Sequence, residues 1–250
     1  MKNILVTGLN GRIAPFLKEA LENMEVNVVP FDRSVTNIED REAQISLIQQ
    51  HSVDGVFHLA TGSENWVGTL AGIAKKLNIP FLFTSTESVF EPSSIGPFTP
   101  DRLPDATGDY GRYKIACEKA ALEANPDAII ARLGWQMFDT FDADNLLTHV
   151  RDMHDEKGFL YASTKWRPAV AYVRHTMHCL CDLMSAAVPG IFHVGGNENA
   201  LTFYDIVTLI NKKYQLQWDI REGDDPERDG RILDARVPCG LLSDSLMETL

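Results

Sequence analysis

Tyrosine and lysine stand four positions apart at two places in the chain, Tyr110 with Lys114 and Tyr161 with Lys165. A lysine ammonium beside a phenol favours the phenolate and so lowers the tyrosine pKa from its usual value near ~10. Such a tyrosine can donate a proton to a carbonyl oxygen while a hydride reaches the carbonyl carbon. Because the spacing occurs twice, it does not by itself identify a catalytic pair.

Local conformation separates the two pairs. On a helix, residues four apart share a face with Cβ atoms about 6 Å apart, whereas on a strand they lie about 13 Å apart. Residues 110–124 have the pattern of a long helix, which brings the first pair together. The second pair lies in "FLYASTKWRP", which is rich in aromatic and β-branched residues and ends at Pro168, so it is predicted to be extended. Tyr113 points about 100° away around the helix, where it packs or faces solvent.

A hydroxyl group is available near the first pair. The run "TSTESVF" ends a predicted central strand, and Thr86 falls where open α/β sheets bind ligands. Threonine is common in buried strands, so its position alone is weak support. Beside Tyr110 and Lys114, Thr86 would hold a carbonyl oxygen by a hydrogen bond.

A glycine-rich turn precedes these residues. Gly8, Gly11 and Ala14 have the G-x-x-G-x-x-A spacing between a predicted strand and a predicted helix. The first glycine allows a tight turn, the second lets a pyrophosphate approach the backbone, and the alanine permits close packing of the helix. An ordinary strand-to-helix turn is the alternative, but its place at the start of an alternating series favours dinucleotide binding.

The end of the second predicted strand bears on the choice of dinucleotide. Asp32 could accept a hydrogen bond from a ribose hydroxyl, as NAD requires, while Arg33 could neutralise the 2′-phosphate of NADP. A solvated charge pair is the alternative. The cofactor is therefore predicted to be NADP(H) or NAD(H), with a slight preference for NADP(H).

Strands and helices alternate through the first half of the chain. Strands are predicted at 3–8, 26–32, 55–60, 81–90, 127–135 and 190–195, and helices at 13–24, 41–51, 68–78, 110–124 and 171–187. This alternation predicts an α/β fold, a Rossmann-like doubly wound parallel sheet with a smaller C-terminal substrate lobe. The dinucleotide-binding domain is predicted to span 1–136, with 171–196 returning to it, and the substrate lobe to occupy most of 137–250.

Composition limits the classes of function. A net charge of -12 argues against binding to nucleic acid or to an anionic membrane surface. No apolar run approaches the ~18 residues of a membrane span, and the start "MKNILVTG" lacks a signal-peptide pattern, so a cytoplasmic location is predicted. The four cysteines suit reduced, mostly buried thiols.

Histidine and cysteine cluster in "RHTMHCLC". His175, His178 and Cys179 would share a helix face, but Cys181 would not, and the surrounding pattern fits a helix packed on the sheet. No metal site is therefore predicted. His58 and His193 lie in predicted strands and are interpreted as structural.

At several of these motifs the chain resembles the extended short-chain dehydrogenases/reductases, and within them the dTDP-4-dehydrorhamnose reductases. The matching stretches are "GLNGRIA", "FDRSVTNIEDREA", "STESVF", "YGRYK" and "GIFHVGGNENALTFYDIV". The resemblance implies NAD(P)H-dependent reduction of the 4-keto group of a nucleotide-linked deoxysugar, with Thr86, Tyr110 and Lys114 as catalytic residues. It also implies a possible homodimer through the helix that starts near Tyr110.

The predicted binding residues fall into two sets. Cofactor contacts are predicted for Gly8, Asn10, Gly11, Arg12, Ile13, Asp32, Arg33, Leu59, Ala60, Thr61, Thr84, Tyr110 and Lys114. Substrate contacts are predicted for Thr86, Glu87, Ser88, Trp135 and Arg167. Arg132 is a second candidate for the substrate pyrophosphate, surface pairing being the alternative for both arginines, and Trp135 either stacks on substrate or packs in the core.

The chain also departs from the resembled family. Ser88 stands where those reductases carry an aromatic residue, and the segment after "FHLA" is short. These departures affect the identity of the sugar more than the redox chemistry. Two alternatives therefore stay open, a sugar-nucleotide epimerase and a non-catalytic NAD(P)-binding regulatory subunit.

Overall fold

A computed structural model describes residues 1–141 and 145–247. The predicted lobe 137–250 therefore includes two short segments, 142–144 and 248–250, that lie outside the described residues. The strands are β1 Asn3–Thr7, β2 Asn27–Pro30, β3 Gly55–His58, β4 Phe81–Thr86, β5 Ile129–Leu133, β6 Trp135–Met137, β7 Leu160–Ser163, β8 Trp166–Arg167, β9 Val170–Tyr172, β10 Gly190–Val194, β11 Ile220–Gly223 and β12 Arg228–Asp229.

The helices of the same residues alternate with the first strands. They are α1 Ala14–Asn23, α2 Arg41–Gln50, α3 Glu64–Leu77, α4 Asp109–Ala124, α5 Leu146–Lys157, α6 Val173–Ala186, α7 Phe203–Lys213 and α8 Leu242–Met247. None of these helices is both long enough and apolar enough to cross a membrane.

Two predicted boundaries are wrong by four residues, and a hydroxyl side chain explains each. Helix α3 begins at Glu64 rather than 68, because the Ser63 side chain caps it by accepting a hydrogen bond from the Trp66 amide. Strand β4 ends at Thr86 rather than 90, because the Thr86 hydroxyl accepts from the Ser88 amide at 3.1 Å and starts a 3-10 turn over Glu87–Val89.

A six-stranded parallel sheet forms the centre of the molecule, in the order β10-β5-β4-β3-β1-β2, and this confirms the predicted doubly wound α/β fold. The chain first adds β2 on one side of β1 and then β3 on the other. The strand order therefore reverses between β1 and β3, and in open α/β sheets the crevice at the carboxyl ends beside such a reversal binds ligands.

Two apolar layers cover the faces of this sheet. One contains Leu17 of α1 and Met177 of α6, and the other contains Leu70 of α3 and Ala121 of α4. The strands are buried on both faces. In β4, for example, Leu82 belongs to the first layer, and its neighbours Phe81 and Phe83 belong to the second. This burial holds the carboxyl ends of the strands, and the turns that follow them, in fixed positions.

A third apolar cluster lies outside the sheet, around α5, α7 and α8. It joins Leu147, Ile206 and Leu246 and is bordered by short parallel strand pairs, β6 with β9, β7 with β11 and β8 with β12. Strand β10, by contrast, pairs with β5 in the central sheet. The division into residues 1–136 and 137–250 stays a prediction.

Candidate active site

The first turn of the sheet brings backbone from two strands into close contact. Gly8 has a φ of +76°, and its carbonyl accepts a hydrogen bond from the Gly11 amide at 2.8 Å. A Cβ at Gly8 would lie 2.8 Å from the Cα of Ala60, which follows β3. Glycine is therefore required here both by conformation and by space. The turn leads directly into α1, which begins at Ala14.

A cleft of about 560 Å³ opens beside this turn. Its lining joins the turn to the end of β2 and consists of Gly8, Leu9, Asn10, Pro30, Phe31, Asp32 and Arg33. Four predicted cofactor contacts, at positions 8, 10, 32 and 33, thus share one cleft. The turn continues toward α1 through Gly11, Arg12 and Ile13. The predicted cofactor contacts that follow β3 are Leu59, Ala60 and Thr61.

The two charges at the end of β2 have different partners. Asp32 accepts hydrogen bonds from the Ser34 amide at 2.8 Å and the Ser34 hydroxyl at 2.7 Å, and these bonds lower the pKa of its carboxyl group. Arg33 donates to the Thr61 carbonyl, and its Cζ lies 4.7 Å from the centre of the Trp66 ring. Trp66 is buried and was missed by the sequence analysis, because its contact with Arg33 depends on how α3 packs on the sheet.

His58 forms part of the buried layer next to this cleft. Its Nδ1 is 3.1 Å from the Thr7 hydroxyl, which in turn accepts from the Ala60 amide at 3.2 Å. Burial lowers the pKa of His58 to about 3, so the imidazole is neutral at physiological pH. These contacts support its interpretation as a structural residue.

Lys114 reaches from α4 to the carboxyl end of β4. Its Nζ donates to the carbonyl oxygen of Thr84 at 2.9 Å and lies 4.7 Å from the centre of the Phe83 ring. Burial lowers the pKa of Lys114, and the neighbouring Cys117 and Glu118 partly oppose that effect. The Thr84 hydroxyl donates to the His58 carbonyl at 3.4 Å, so Thr84 connects Lys114 to β3.

Tyr110 lies one helical turn before Lys114, and Thr86 is the hydroxyl residue that acts on its phenol. The expected lowering of its pKa by Lys114 is wrong for this structure. Burial of the phenol raises the pKa of Tyr110, the Thr86 hydrogen bond partly offsets the rise, and the Glu87 carboxylate adds to it. The reason is geometric, because the Lys114 ammonium is directed at the Thr84 carbonyl.

Beside Tyr110 lies a second cavity of about 340 Å³. It is lined by Glu87, Ser88, Phe90, Pro92, Ala106, Gly108, Asp109, Tyr110, Gly111 and Arg228. The predicted substrate contacts Glu87 and Ser88 are thus brought together, and the Ser88 hydroxyl donates to Glu87 at 2.9 Å. Burial raises the pKa of Glu87, while Arg228 lowers it.

Arg228 is a pocket residue that the sequence analysis missed. It belongs to β12, where it pairs in register with Trp166 of β8, and its Cζ lies 5.6 Å from the Trp166 ring. The nearest sequence signal was Arg167 on the neighbouring strand. Of these two arginines, in the part of the chain that the structure describes, Arg228 lines the cavity and Arg167 does not. The Arg167 carbonyl accepts a hydrogen bond from the Gly230 amide.

The prediction that Arg132 binds the substrate pyrophosphate is wrong. Its side chain is 1% exposed and makes a bidentate ion pair with Glu118, with N–O distances of 2.9 and 2.7 Å. Trp135 is half-buried, lies 5.0 Å from the His149 ring and packs against the third apolar cluster. Its proposed stacking on substrate stays a prediction.

Two further tyrosines, Tyr113 and Tyr161, have other partners or surroundings. Tyr113 packs in the apolar layer, and its hydroxyl accepts from the Gly62 amide at 3.1 Å; burial raises its pKa to about 12. Tyr161 is 59% exposed and lies in β7, so the extended conformation predicted for this segment is confirmed for Leu160–Ser163, after which the chain bends at Thr164 and Lys165. Lys165 lies 3.5 Å from Glu227 in a surface ion pair.

Comparison with protein families gives one match that covers more than half of the chain. Residues 63–222 match the model described as the RmlD substrate binding domain. This range contains β4, the whole of α4 and β8, but it begins after the glycine turn and ends before β12.

Individual relatives agree with that match. A probable low-salt glycan biosynthesis reductase of Haloferax volcanii is 26% identical over 79% of this chain and 75% of its own length. A dTDP-4-dehydrorhamnose reductase of Sinorhizobium fredii is 25% identical over 96% of this chain and 90% of its own. The crystal structure of dTDP-4-dehydrorhamnose reductase from Bacillus anthracis in complex with NADP superposes with a TM-score of 0.80 and 16% identity, covering 98% of both chains.

Proposed function

The chain belongs to the RmlD substrate binding domain family, and from this premise we propose that it is an NAD(P)H-dependent reductase of a nucleotide-linked 4-keto-deoxysugar. Membership confirms the resemblance found in the sequence motifs. The relative from Sinorhizobium fredii bears the name of a reductase of this kind and aligns over 96% of the chain. The family match alone does not give the substrate class, which is inferred from the placement of the side chains.

One observation carries the proposal, the placement of Tyr110, Thr86 and Lys114 at the carboxyl end of β4. Helix α4 holds the Tyr110 hydroxyl against Thr86 and the Lys114 ammonium against the Thr84 carbonyl. The 340 Å³ cavity includes Tyr110 and opens next to these contacts. A keto group entering this cavity would meet a proton donor and a hydrogen-bond donor together.

The residues of the glycine turn fit a dinucleotide. A side chain at Gly8 would collide with the backbone at Ala60, and the adjacent cleft of about 560 Å³ ends in Asp32 and Arg33. The pyrophosphate would lie on the turn and the amino end of α1, where amide groups and the helix dipole favour an anion. The ribose and 2′-phosphate would meet Asp32 and Arg33, and the Arg33 guanidinium supports the preference for NADP(H).

When bound, the reduced nicotinamide supplies a hydride for the carbonyl carbon of the sugar. Thr86 donates a hydrogen bond to the carbonyl oxygen, and Tyr110 transfers its phenolic proton to the oxygen as negative charge develops there. The raised pKa of Tyr110 keeps the phenol protonated before the reaction, as a proton donor requires. The Lys114 ammonium is directed at the Thr84 carbonyl and does not lower the pKa of Tyr110, so its part in the step is to hold α4, and with it Tyr110, on β4.

The test is oxidation of NADPH by the purified protein in the presence of dTDP-linked 4-keto-6-deoxy sugars. Loss of NADPH together with formation of the 4-hydroxy sugar is expected, and substitution Tyr110→Phe should slow both by about 10²- to 10⁴-fold. An epimerase would change the stereochemistry of the sugar without net consumption of NADPH. A regulatory subunit would bind NADPH without turnover, and either result would contradict the proposal.

A further inference from the structure

Helix α4 contacts the end of β4 through three residues that share one face. Tyr110 is acted on by Thr86, Lys114 donates to the Thr84 carbonyl at 2.9 Å, and Glu118 accepts from the Ser85 hydroxyl at 2.5 Å. These positions are four residues apart, so each lies one turn from the next. The third contact is made by a residue that takes no part in the proton transfer described above.

Glu118 is itself fixed to the next strand. Arg132 of β5 donates to Glu118 Oε1 from Nε at 2.9 Å and to Oε2 from Nη2 at 2.7 Å. In the sheet, Arg132 lies directly opposite Ser85, so one carboxylate joins the helix to two adjacent strands. A bidentate pair of this kind fixes the orientation of both groups as well as the distance between them.

The remaining face of Arg132 is occupied by His193. Nη1 of Arg132 is 3.4 Å from Nε2 of His193, and Nδ1 of that ring is 3.1 Å from the Phe98 carbonyl. Burial lowers the pKa of His193 to about 4, which makes the ring neutral, with Nδ1 donating and Nε2 accepting. A neutral ring adds no charge to the pair, so Glu118 and Arg132 balance each other.

A buried ion pair is costly to desolvate, and apolar residues of similar volume often replace one without loss of stability. The side chains of Arg132 and Glu118 are 1% and 5% exposed, so this cost applies in full. We propose that the Glu118–Arg132 pair is a positioning device for the catalytic residues of α4. It fixes the helix on β4 in the register that places Tyr110 at Thr86, and it holds a carboxylate one turn from Lys114 that keeps this ammonium charged.

The surroundings of Lys114 give Glu118 this electrostatic role. Cys117 and Glu118 of its own helix are the groups that favour its charged form, and burial opposes it. Facing it from the sheet are the Phe83 ring, the Thr84 carbonyl and the neutral His58. The Tyr113 ring lies 5.9 Å from Nζ. Since Cys117 is a buried thiol, Glu118 is the carboxylate that acts on Lys114 in residues 1–141 and 145–247.

The proposal rests on the proposed function for the role of Tyr110, but its electrostatic part can be measured without any substrate. Full-length protein labelled with ¹⁵N at lysine Nζ would be titrated by NMR, with Lys114 assigned through Lys114→Met. The variants are Glu118→Gln, which keeps an oxygen to accept hydrogen bonds, and Glu118→Gln combined with Arg132→Met. Glu118→Gln leaves a buried guanidinium unbalanced, whereas the double variant removes both charges.

We expect the titration midpoint of Lys114 to fall in Glu118→Gln and to return toward that of the wild type in the double variant. A purely structural role would lower the melting temperature of both variants and leave the Lys114 midpoint unchanged. An unchanged midpoint in Glu118→Gln, or a midpoint in the double variant as low as in the single one, would overturn the proposal.

Turnover provides the second measurement. With an accepted keto sugar, Glu118→Gln should lower kcat by up to about 10²-fold with a smaller change in KM, because displacement of a catalytic group by about 1 Å has effects of this size. The alkaline limb of its pH profile should move to lower pH. Loss confined to KM, with an unmoved alkaline limb, would contradict the proposal.

Two control variants distinguish an effect on the position of the α4 side chains from a general loss of protein stability. Glu123→Gln removes an exposed carboxylate of the same helix that pairs with Lys119, and it should leave the Lys114 titration unchanged. Ile210→Ala lowers stability from the third apolar cluster, away from α4, and should do the same. If wild-type protein reduces no keto sugar, the proposed function fails, while the Lys114 titration still decides whether the pair acts on the lysine.

Discussion

Lys114 donates a hydrogen bond of 2.9 Å to the main-chain carbonyl of Thr84, and this contact ties helix α4 to the carboxyl end of β4. Because a main-chain acceptor moves only with its strand, the position of the ammonium is set by the sheet. The Tyr110 phenol lies one turn earlier, and Thr86 partly offsets the rise in its pKa that burial causes. The proposed proton donor and the lysine one turn after it are thus both positioned at the carboxyl end of the same strand.

Substitution Tyr110→Phe should lower turnover of a keto sugar by about 10²- to 10⁴-fold, because it removes a general acid from the reaction. The melting temperature should stay within the error of measurement, since 53% of the Tyr110 surface is exposed. Steady-state assays and thermal unfolding check both statements. Tyr161→Phe is the matched control, as it removes the hydroxyl of the other Tyr-x-x-x-Lys match, and a comparable loss there would count against the assignment.

Arg33→Ala should weaken NADPH binding by about ten- to a hundredfold, the range expected for loss of hydrogen bonds to a charged group, and should leave NADH binding nearly unchanged. Trp66→Leu should have a smaller effect of the same kind, because the ring under the guanidinium is lost. Fluorescence titration with the two cofactors measures both.

The double variant of Arg33 and Trp66 completes this test. If the ring acts through the arginine, the double variant should bind NADPH no more weakly than Arg33→Ala does. Trp66→Phe keeps an aromatic ring and serves as the control. Equal weakening of NADH and NADPH in Arg33→Ala would remove the basis for the preference.

Gly8→Ala should destabilise the protein far more than Gly158→Ala. Both glycines have positive φ, +76° and +74°, so alanine is strained at either position by roughly 1–2 kcal/mol. Only at Gly8 would the new Cβ also meet backbone atoms, at 2.8 Å, whereas Gly158 has nothing within 4 Å. Urea unfolding of the two variants measures the difference, and equal losses would mean that the turn can move away from β3.

Stability should decline on mild acidification because of two buried histidines. The pKa of His58 is lowered to about 3 and that of His193 to about 4, from an ordinary value of 6.5. At a pH between the lowered pKa values of the folded protein and the ordinary value of 6.5, the unfolded chain binds the protons and the folded chain does not. The free energy of unfolding therefore falls as pH drops below 6.5, by up to about 1.4 kcal/mol per pH unit for each histidine.

Substitution His58→Asn tests this prediction, since asparagine can still bond the Thr7 hydroxyl but does not titrate. Urea unfolding from neutral pH down to about pH 5, above the range where carboxylates dominate, should show a shallower slope for the variant. An identical slope would show that His58 is protonated in the folded protein.

Local patterns were sufficient to predict the frame of the site. Alternating apolar runs predicted the parallel sheet, and the helical pattern of residues 110–124 identified Tyr110 and Lys114 as neighbours. Periodicity carries this information because one face of each element must be buried. The same patterns predicted the extended conformation around Tyr161.

Side-chain partners across elements were not predictable in this way. Arg132 was a candidate for the substrate pyrophosphate, with surface pairing as the alternative. Its buried partner, Glu118, lies on the preceding helix and faces it only after α4 has packed on β4 and β5. Arg228 reaches the cavity through pairing of two short strands that no periodic signal marks. The direction of the Lys114 ammonium depends on a main-chain carbonyl, which has no sequence signature.

Arg228 also has a consequence for how such an enzyme could diversify. The cleft beside the glycine turn is lined by residues 8–10 and 30–33, and Tyr110 is held by α4, whereas Arg228 enters the second cavity from a segment that contributes to neither. If the second cavity takes the sugar, as proposed, replacement of the segment around β12 changes the shape and charge presented to it and leaves the glycine-turn cleft and α4 as they are. The proposed choice of substrate and the proposed chemistry can then vary independently.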